Sequence, residues 1–277
     1  MAKMRKCFAA CAAALLLFAG GTASAAIKDV TVTSFAGLRS AVADASAGDT
    51  LRVVFPSYAT VLTVDGLPEI VIDKPLTIMY SDPGVPVFVK RPEDQGKGVF
   101  VVTASPVTLR GFRFVDSKKP GYAIDYNCCI RSTSDNLTLA DCTFENWEGD
   151  VLDDDNRKTR DLDTTHAGAV TASSSSAGSR LLLDHCTFKG CSLRYRAQED
   201  MFQAAWDHLG AAVSSRMGKT LVRNCSFIGN KATAGNSAGG GAATMTLKNC
   251  LLEGNSAGGY GGGVYVYGEF KMTGGQI

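Results

Sequence analysis

A right-handed parallel β-helix, all-β but for a short amphipathic helix near its start, is the fold this sequence predicts, and three observations predict it. First, CSFIGN at Cys225 and CLLEGN at Cys250 begin 25 residues apart, and GNSAGG occurs in both repeats. A solenoid repeats in this way because each coil buries its apolar face only against the next. Second, words alternating apolar and polar residues recur, from LTIMYSDP and VTLRGFRF through LTLADCTF, LLLDHCTF, LVRNCSF and TLKNCLL to KMTGGQI. Ile78, Leu109, Leu139, Leu183, Val222, Leu247 and Met272 hold matching places in them, at steps of 31, 30, 44, 39, 25 and 25 residues. Such alternation marks a strand with one buried face. Third, a word of two small residues and an apolar one falls between them, at Cys128-Cys129-Ile130, Gly168-Ala169-Val170, Ala211-Ala212-Val213, Gly241-Ala242-Ala243 and Gly262-Gly263-Val264. Small residues there let the backbone bend or approach a neighbouring coil.

Taken in order, residues 1–26 read as a secretory signal peptide. Lys3, Arg5 and Lys6 precede the apolar run from Cys7 to Ala19, and Ala23-Ser24-Ala25 fits a cleavage site after Ala25. The run is shorter than the ~20 apolar residues that span a bilayer. The protein is therefore expected to be exported, either secreted or held at the cell surface or outer membrane. Residues 27–277 are expected to form one β-helix domain, with a cap at 27–50 and about seven coils. Within the cap, Ser34 is placed to cap a helix whose apolar stripe is Phe35, Leu38, Val42 and Ala45, with Gly48 as its stop.

Stacking equivalent words puts Leu139, Leu183, Val222 and Leu247 in one inward column and Cys142, Cys186, Cys225 and Cys250 in another. Buried cysteine packs as a small hydrophobe, so the thiols are expected to be structural, with disulfides between coils as the alternative. The mature chain keeps seven of the nine cysteines, an odd number, which excludes complete pairing within the chain. Asp141, His185, Asn224 and Asn249 precede these cysteines as a polar corner ladder. The two longest steps carry excess residues, near 145–166 and 191–209, expected to be loops pushed out of the coil. In the second, Met201, Ala205, Trp206 and Leu209 make a helical face. The last word stops at Gly274-Gly275-Gln276-Ile277, so the β-helix is expected to be C-terminally incomplete and the chain an N-terminal part of a longer surface protein.

The words FIGN at Phe227–Asn230 and GGA at Gly240–Ala242 resemble the FxxN and GGA repeats of polymorphic outer-membrane proteins, autotransported adhesins with a right-handed β-helix. SFAGLRSAVADASAGDTLRV resembles the opening of pectin-lyase-like β-helices. Leu252-Glu253-Gly254-Asn255 departs by one residue from the first pattern, and Phe144-Glu145-Asn146 is one residue short of it. These resemblances imply a surface adhesin whose partner is a host or cell-surface protein or glycan.

For chemistry the candidates are Asp150, Asp153 and Asp155 in the segment EGDVLDDDNRKTRDLDTTH. Paired carboxylates could serve glycosidic cleavage, or hold a calcium ion for a lyase. Arg157, Lys158 and Arg160 interleave with them, the pattern of a solvated, self-neutralising loop. The three histidines, His166, His185 and His208, are scattered. No cofactor or metal is expected. Removing the leader takes away three of 28 basic residues and none of 27 acidic ones, a balance that gives no support for nucleic-acid or anionic-membrane binding. The favoured expectation is a non-catalytic adhesion role. The alternative is a carbohydrate-active enzyme, a polysaccharide lyase or hydrolase, and a cluster of Asp with Arg or Lys on one outward strand face would favour it.

Overall fold

The computed structural model describes residues 25–55, 61–64, 67–80, 87–91, 98–116, 128–152, 166–196, 209–232, 244–257 and 268–277. They form a right-handed parallel β-helix in which every strand pairing is parallel and every crossover is one turn of the coil. The first ladder stacks Ile27–Thr31, Thr50–Val54, Leu76–Tyr80, Val107–Arg110, Asn136–Ala140, Arg180–Asp184 and Lys219–Arg223. It ends on the first halves of Thr244–Glu253 and Glu269–Gln276. The second stacks Val61–Thr63, Val87–Arg91, Phe112–Asp116, Thr143–Glu145, Thr187–Lys189, Ser226–Ile228 and the second half of Thr244–Glu253. Glu148–Leu152, Ser192–Arg196, Lys231–Ala232 and Ser256–Ala257 make the third. Ile70–Ile72, Phe100–Val102, Ile130–Ser132, Val170–Ser173 and Val213–Arg216 make the fourth. His166–Ala167 pairs separately with Leu209–Gly210.

The alternation in the words becomes burial. Register pairs Ile78 with Leu109, Leu109 with Leu139, Leu139 with Leu183, Leu183 with Val222, Val222 with Leu247 and Leu247 with Met272. Leu139, Leu183, Val222 and Leu247 are all buried. The column extends one rung further back, Leu51 against Ile78. Beside it the second ladder buries an aromatic column. Phe114, Phe144, Phe188 and Phe227 stack with ring centroids 4.9, 4.8 and 4.9 Å apart and planes within 21° of parallel. The spacing is that of hydrogen-bonded strands, so parallel register itself holds the rings face to face. Phe144 belongs in this column although its word is one residue short in sequence.

A single corner residue in left-handed backbone joins the first ladder to the second. Asp141, His185, Asn224 and Asn249 have φ between 52° and 54°, a conformation that Asn and Asp tolerate better than most residues. A second corner leads to the third ladder, with Asn146, Gly190, Gly229 and Gly254 in the same region. The residues after it are Trp147, Cys191, Asn230 and Asn255. Asn230 Oδ1 accepts from Cys191 N at 2.9 Å, while its Nδ2 donates to Phe188 O at 3.1 Å. Asn255 repeats this toward Asn230 N and Phe227 O. These side chains satisfy corner amides and carbonyls that lie inside the coil.

Ser34 Oγ accepts from Gly37 N at 3.1 Å to cap the helix Phe35–Asp44, and Phe35, Leu38 and Val42 join the common core. None of the seven described cysteines is joined in a disulfide, and all are buried. Cys142 Sγ donates to Ala140 O at 3.2 Å, Cys225 Sγ to Arg223 O at 3.1 Å and Cys250 Sγ to Lys248 O at 3.4 Å. Burial pushes the Cys186 thiol well up and holds Cys191 at about 12.

The segments expected as loops begin as strand. Glu148–Leu152 and Ser192–Arg196 pair along their whole length in the third ladder, because the coil continues past the second corner before the chain leaves it. Residues 153–165 and 197–208, including Asp153, Asp155, His208 and the helical face through Trp206, lie outside the described residues, as do Gly241-Ala242-Ala243 and Gly262-Gly263-Val264.

Candidate functional site

The third ladder is where both long insertions leave the coil. Its register follows from the aromatic column, because Glu148, Ser192, Lys231 and Ser256 each stand four residues after Phe144, Phe188, Phe227 or Leu252. The backbone ladder is regular: Ser192 N donates to Trp147 O at 2.8 Å and Lys231 N to Cys191 O at 2.9 Å. Leu193 and Ala232 are buried, so one side of these strands closes the core. Register sets Glu148 beside Ser192 and Ser192 beside Lys231, and sets Asp150 beside Arg194. The carboxylate residue thus has a guanidinium residue one rung away, on the neighbouring coil.

Acidic groups gather at the near end of this ladder. Glu148 is buried, and its backbone N–H donates to Asp116 Oδ2 at 3.2 Å. Asp116, itself buried, ends a second-ladder strand and is registered with Arg91. By register, Glu148 and Asp150, then Arg194, then Lys231 occupy successive rungs of this ladder, with Asp116 bonded at its first rung. Glu148, Arg194 and Asp116 are absent from the sequence-derived candidates. The signal that finds Glu148 and Arg194 is the constant offset from the aromatic word, which aligns EGDVL with SLRYR.

A second charged surface lies on the outer side of the first ladder. Asp184 bonds Arg223 Nη2 through Oδ2 at 2.8 Å and pairs with His185 Nδ1 through Oδ1 at 2.9 Å. Asn224 Nδ2 also reaches Asp184 Oδ1, at 3.4 Å. The Arg223 hydrogen bond is the largest cause holding the Asp184 carboxyl below its usual range. Arg110 pairs with Asp141 of the next coil at 2.8 Å, and on the second ladder Arg113 pairs with Glu145 of the next coil at 2.5 Å. His185 is thus a corner residue paired to its own neighbour, and His166 stands on a different strand pair. Among the described residues no group of three or more His, Cys, Asp or Glu is placed to hold a metal ion, and no helix is long and apolar enough to cross a membrane.

No family model matches the chain, and no curated protein matches it. Among solved structures it is similar to a PL6 family alginate lyase in a single-residue mutant form, with 18% identity and a TM-score of 0.50. That match covers 84% of this chain and 29% of the other. A second structure of that alginate lyase aligns at 16% identity with a TM-score of 0.40, covering 91% of this chain and 39% of the other. The chain spans less than half the length of these proteins, and the likeness is one of fold.

Proposed function

We propose that this chain is an exported carbohydrate-active β-helix that cleaves an acidic polysaccharide at the third ladder. The observation that carries the reading is the register of Asp150 beside Arg194. Elimination at a uronate removes the proton next to the carboxylate and breaks the glycosidic bond β to it. A carboxylate base takes the proton, and a cation beside it neutralises the substrate carboxylate so that the proton becomes acidic enough to leave. Asp150 and Arg194 supply that pair of groups from adjacent coils. Hydrolysis would instead draw on Glu148 and Asp150, two carboxylates on one strand. The alginate-lyase fold of the similar structure fits this class better than the non-catalytic adhesin favoured from the sequence. The autotransporter resemblance, a surface glycan or protein as partner, and export itself belong to the same proposal. Cleavage after Ala25 would leave Ala26 first, and its backbone N lies 3.0 Å from the buried Asp49 Oδ1, a position suited to a new terminal ammonium.

The test is incubation with alginate and polygalacturonate, following the ultraviolet absorbance of the unsaturated uronate together with new reducing ends. Absorbance that appears with the wild type and is lost in Asp150→Asn and Arg194→Ala supports elimination. Reducing ends without absorbance assign hydrolysis. No cleavage of either polymer returns the chain to the adhesive reading, and cleavage that survives both substitutions overturns the assignment to Asp150 and Arg194.

A further inference from the structure

The outer face of the first ladder changes character over its last rungs. From Thr77 through Thr108 to Thr138 its central column is threonine. It then becomes Leu182, Leu221, Thr246 and Lys271. Leu221 is 37% exposed, on a face where alternation would place polar residues. Cations flank the leucines on both sides. Arg180 is registered with Lys219 at one edge, and Arg223 with Lys248 at the other. Arg180, Lys219, Lys248 and Lys271 are exposed and have no ion-pair partner among the described residues. Arg223 is held by Asp184.

An unpaired cation costs little on a surface, but a row of them repels itself. Elsewhere the same ladder faces neutralise their cations across coils, as in Arg52 with Asp29 and Arg110 with Asp141. We propose that this face is a binding surface for one acidic polysaccharide strand, laid along the β-helix axis and separate from the third ladder. Successive rungs lie ~4.8 Å apart, close to the length of one pyranose, so a polymer with one carboxylate per sugar meets cations at the pitch of the coils. Leu182 and Leu221 offer the C–H face of a sugar ring an apolar floor. The outer positions of these rungs carry no aromatic side chain, which removes the base stacking that single-stranded nucleic acid needs. Two leucines on a flat sheet give no face that inserts into a bilayer.

The identity of the polymer rests on the polysaccharide reading above, but the binding does not require cleavage. The test measures binding of size-fractionated alginate at low and physiological salt, with dextran, single-stranded oligothymidine and phosphatidylserine vesicles as comparisons. Wild type is expected to bind alginate and not dextran, with affinity falling as salt rises. Arg180→Glu with Lys219→Glu is expected to lose at least tenfold in affinity. Arg180→Lys with Lys219→Arg should keep it within twofold, and both pairs should keep the wild-type thermal transition. A wild type that binds alginate without cleaving it counts against the catalytic reading alone. The surface is refuted if alginate does not bind at low salt, if the charge reversal leaves affinity unchanged, or if oligothymidine or vesicles bind as tightly.

Discussion

Replacing Phe188 tests whether the aromatic column is a structural spine or a by-product of register. Phe188 is fully buried and stacks on Phe144 at 4.8 Å, with planes 1° from parallel, and on Phe227 at 4.9 Å, with planes 7° from parallel. Truncation to alanine removes its transfer free energy and leaves a cavity between two rings that the strand spacing keeps apart, at about 3–5 kcal/mol. Leucine fills much of that space yet forfeits two stacked aromatic contacts. At about 0.5–1.5 kcal/mol each these cost about 1–3 kcal/mol. The expected order of stability is therefore wild type, Phe188→Leu, Phe188→Ala, read from urea denaturation followed by far-ultraviolet circular dichroism. Neighbouring coils support one another in a solenoid, so the alanine variant should also broaden the transition, as coils on either side of the gap uncouple. Equal losses for leucine and alanine, or a loss below about 1 kcal/mol for alanine, would refute the reasoning.

Cys186 and Cys191, whose thiols burial pushes upward, should resist alkylation at neutral pH in the folded protein and react once urea unfolds it; cross-linked peptides from an unreduced digest would contradict the free thiols. Leu183→Ala should lower stability by about 2–5 kcal/mol as a buried large-to-small change, read in the same urea titration. The Asp49 carboxyl is held at about 2, chiefly by the Lys28 hydrogen bond and then by the amides of Ala26 and Ser46. Its folded value lies below the unfolded one, so its contribution is present above about pH 4 and is lost as pH falls through about 2. Asp49→Asn should flatten the acid limb of the stability curve in that window, and an unchanged limb would show that the carboxylate is not what acid titrates.

Which parts of this molecule can be read from residue order follows from what sets each contact. The alternating words, the small-residue words and the 25-residue repeat are local, and they are enough to specify a parallel β-helix and the helix that Ser34 caps. Corner residues are legible for the same reason: Asn, Asp and Gly at Asp141, Asn224, Asn249 and Gly190 answer a backbone demand of single positions. Phe144 is different. Its word looks defective by comparison with FIGN, yet it stacks between Phe114 and Phe188 because Trp147 fills the place that Asn230 holds later. Only packing shows that a large apolar residue and a hydrogen-bonded amide can serve the same corner. The neighbours across coils are harder still. Asp150 and Arg194 are 44 residues apart with a long insertion between them, and in sequence they belong to two unrelated loops. Tertiary structure decides that they are adjacent rungs, because parallel register is transmitted through the buried column and ignores how many residues each coil sends outward. The chemistry proposed here depends on that adjacency: residue types are written in the chain, but a carboxylate and a guanidinium act together only where stacked coils bring them to one place.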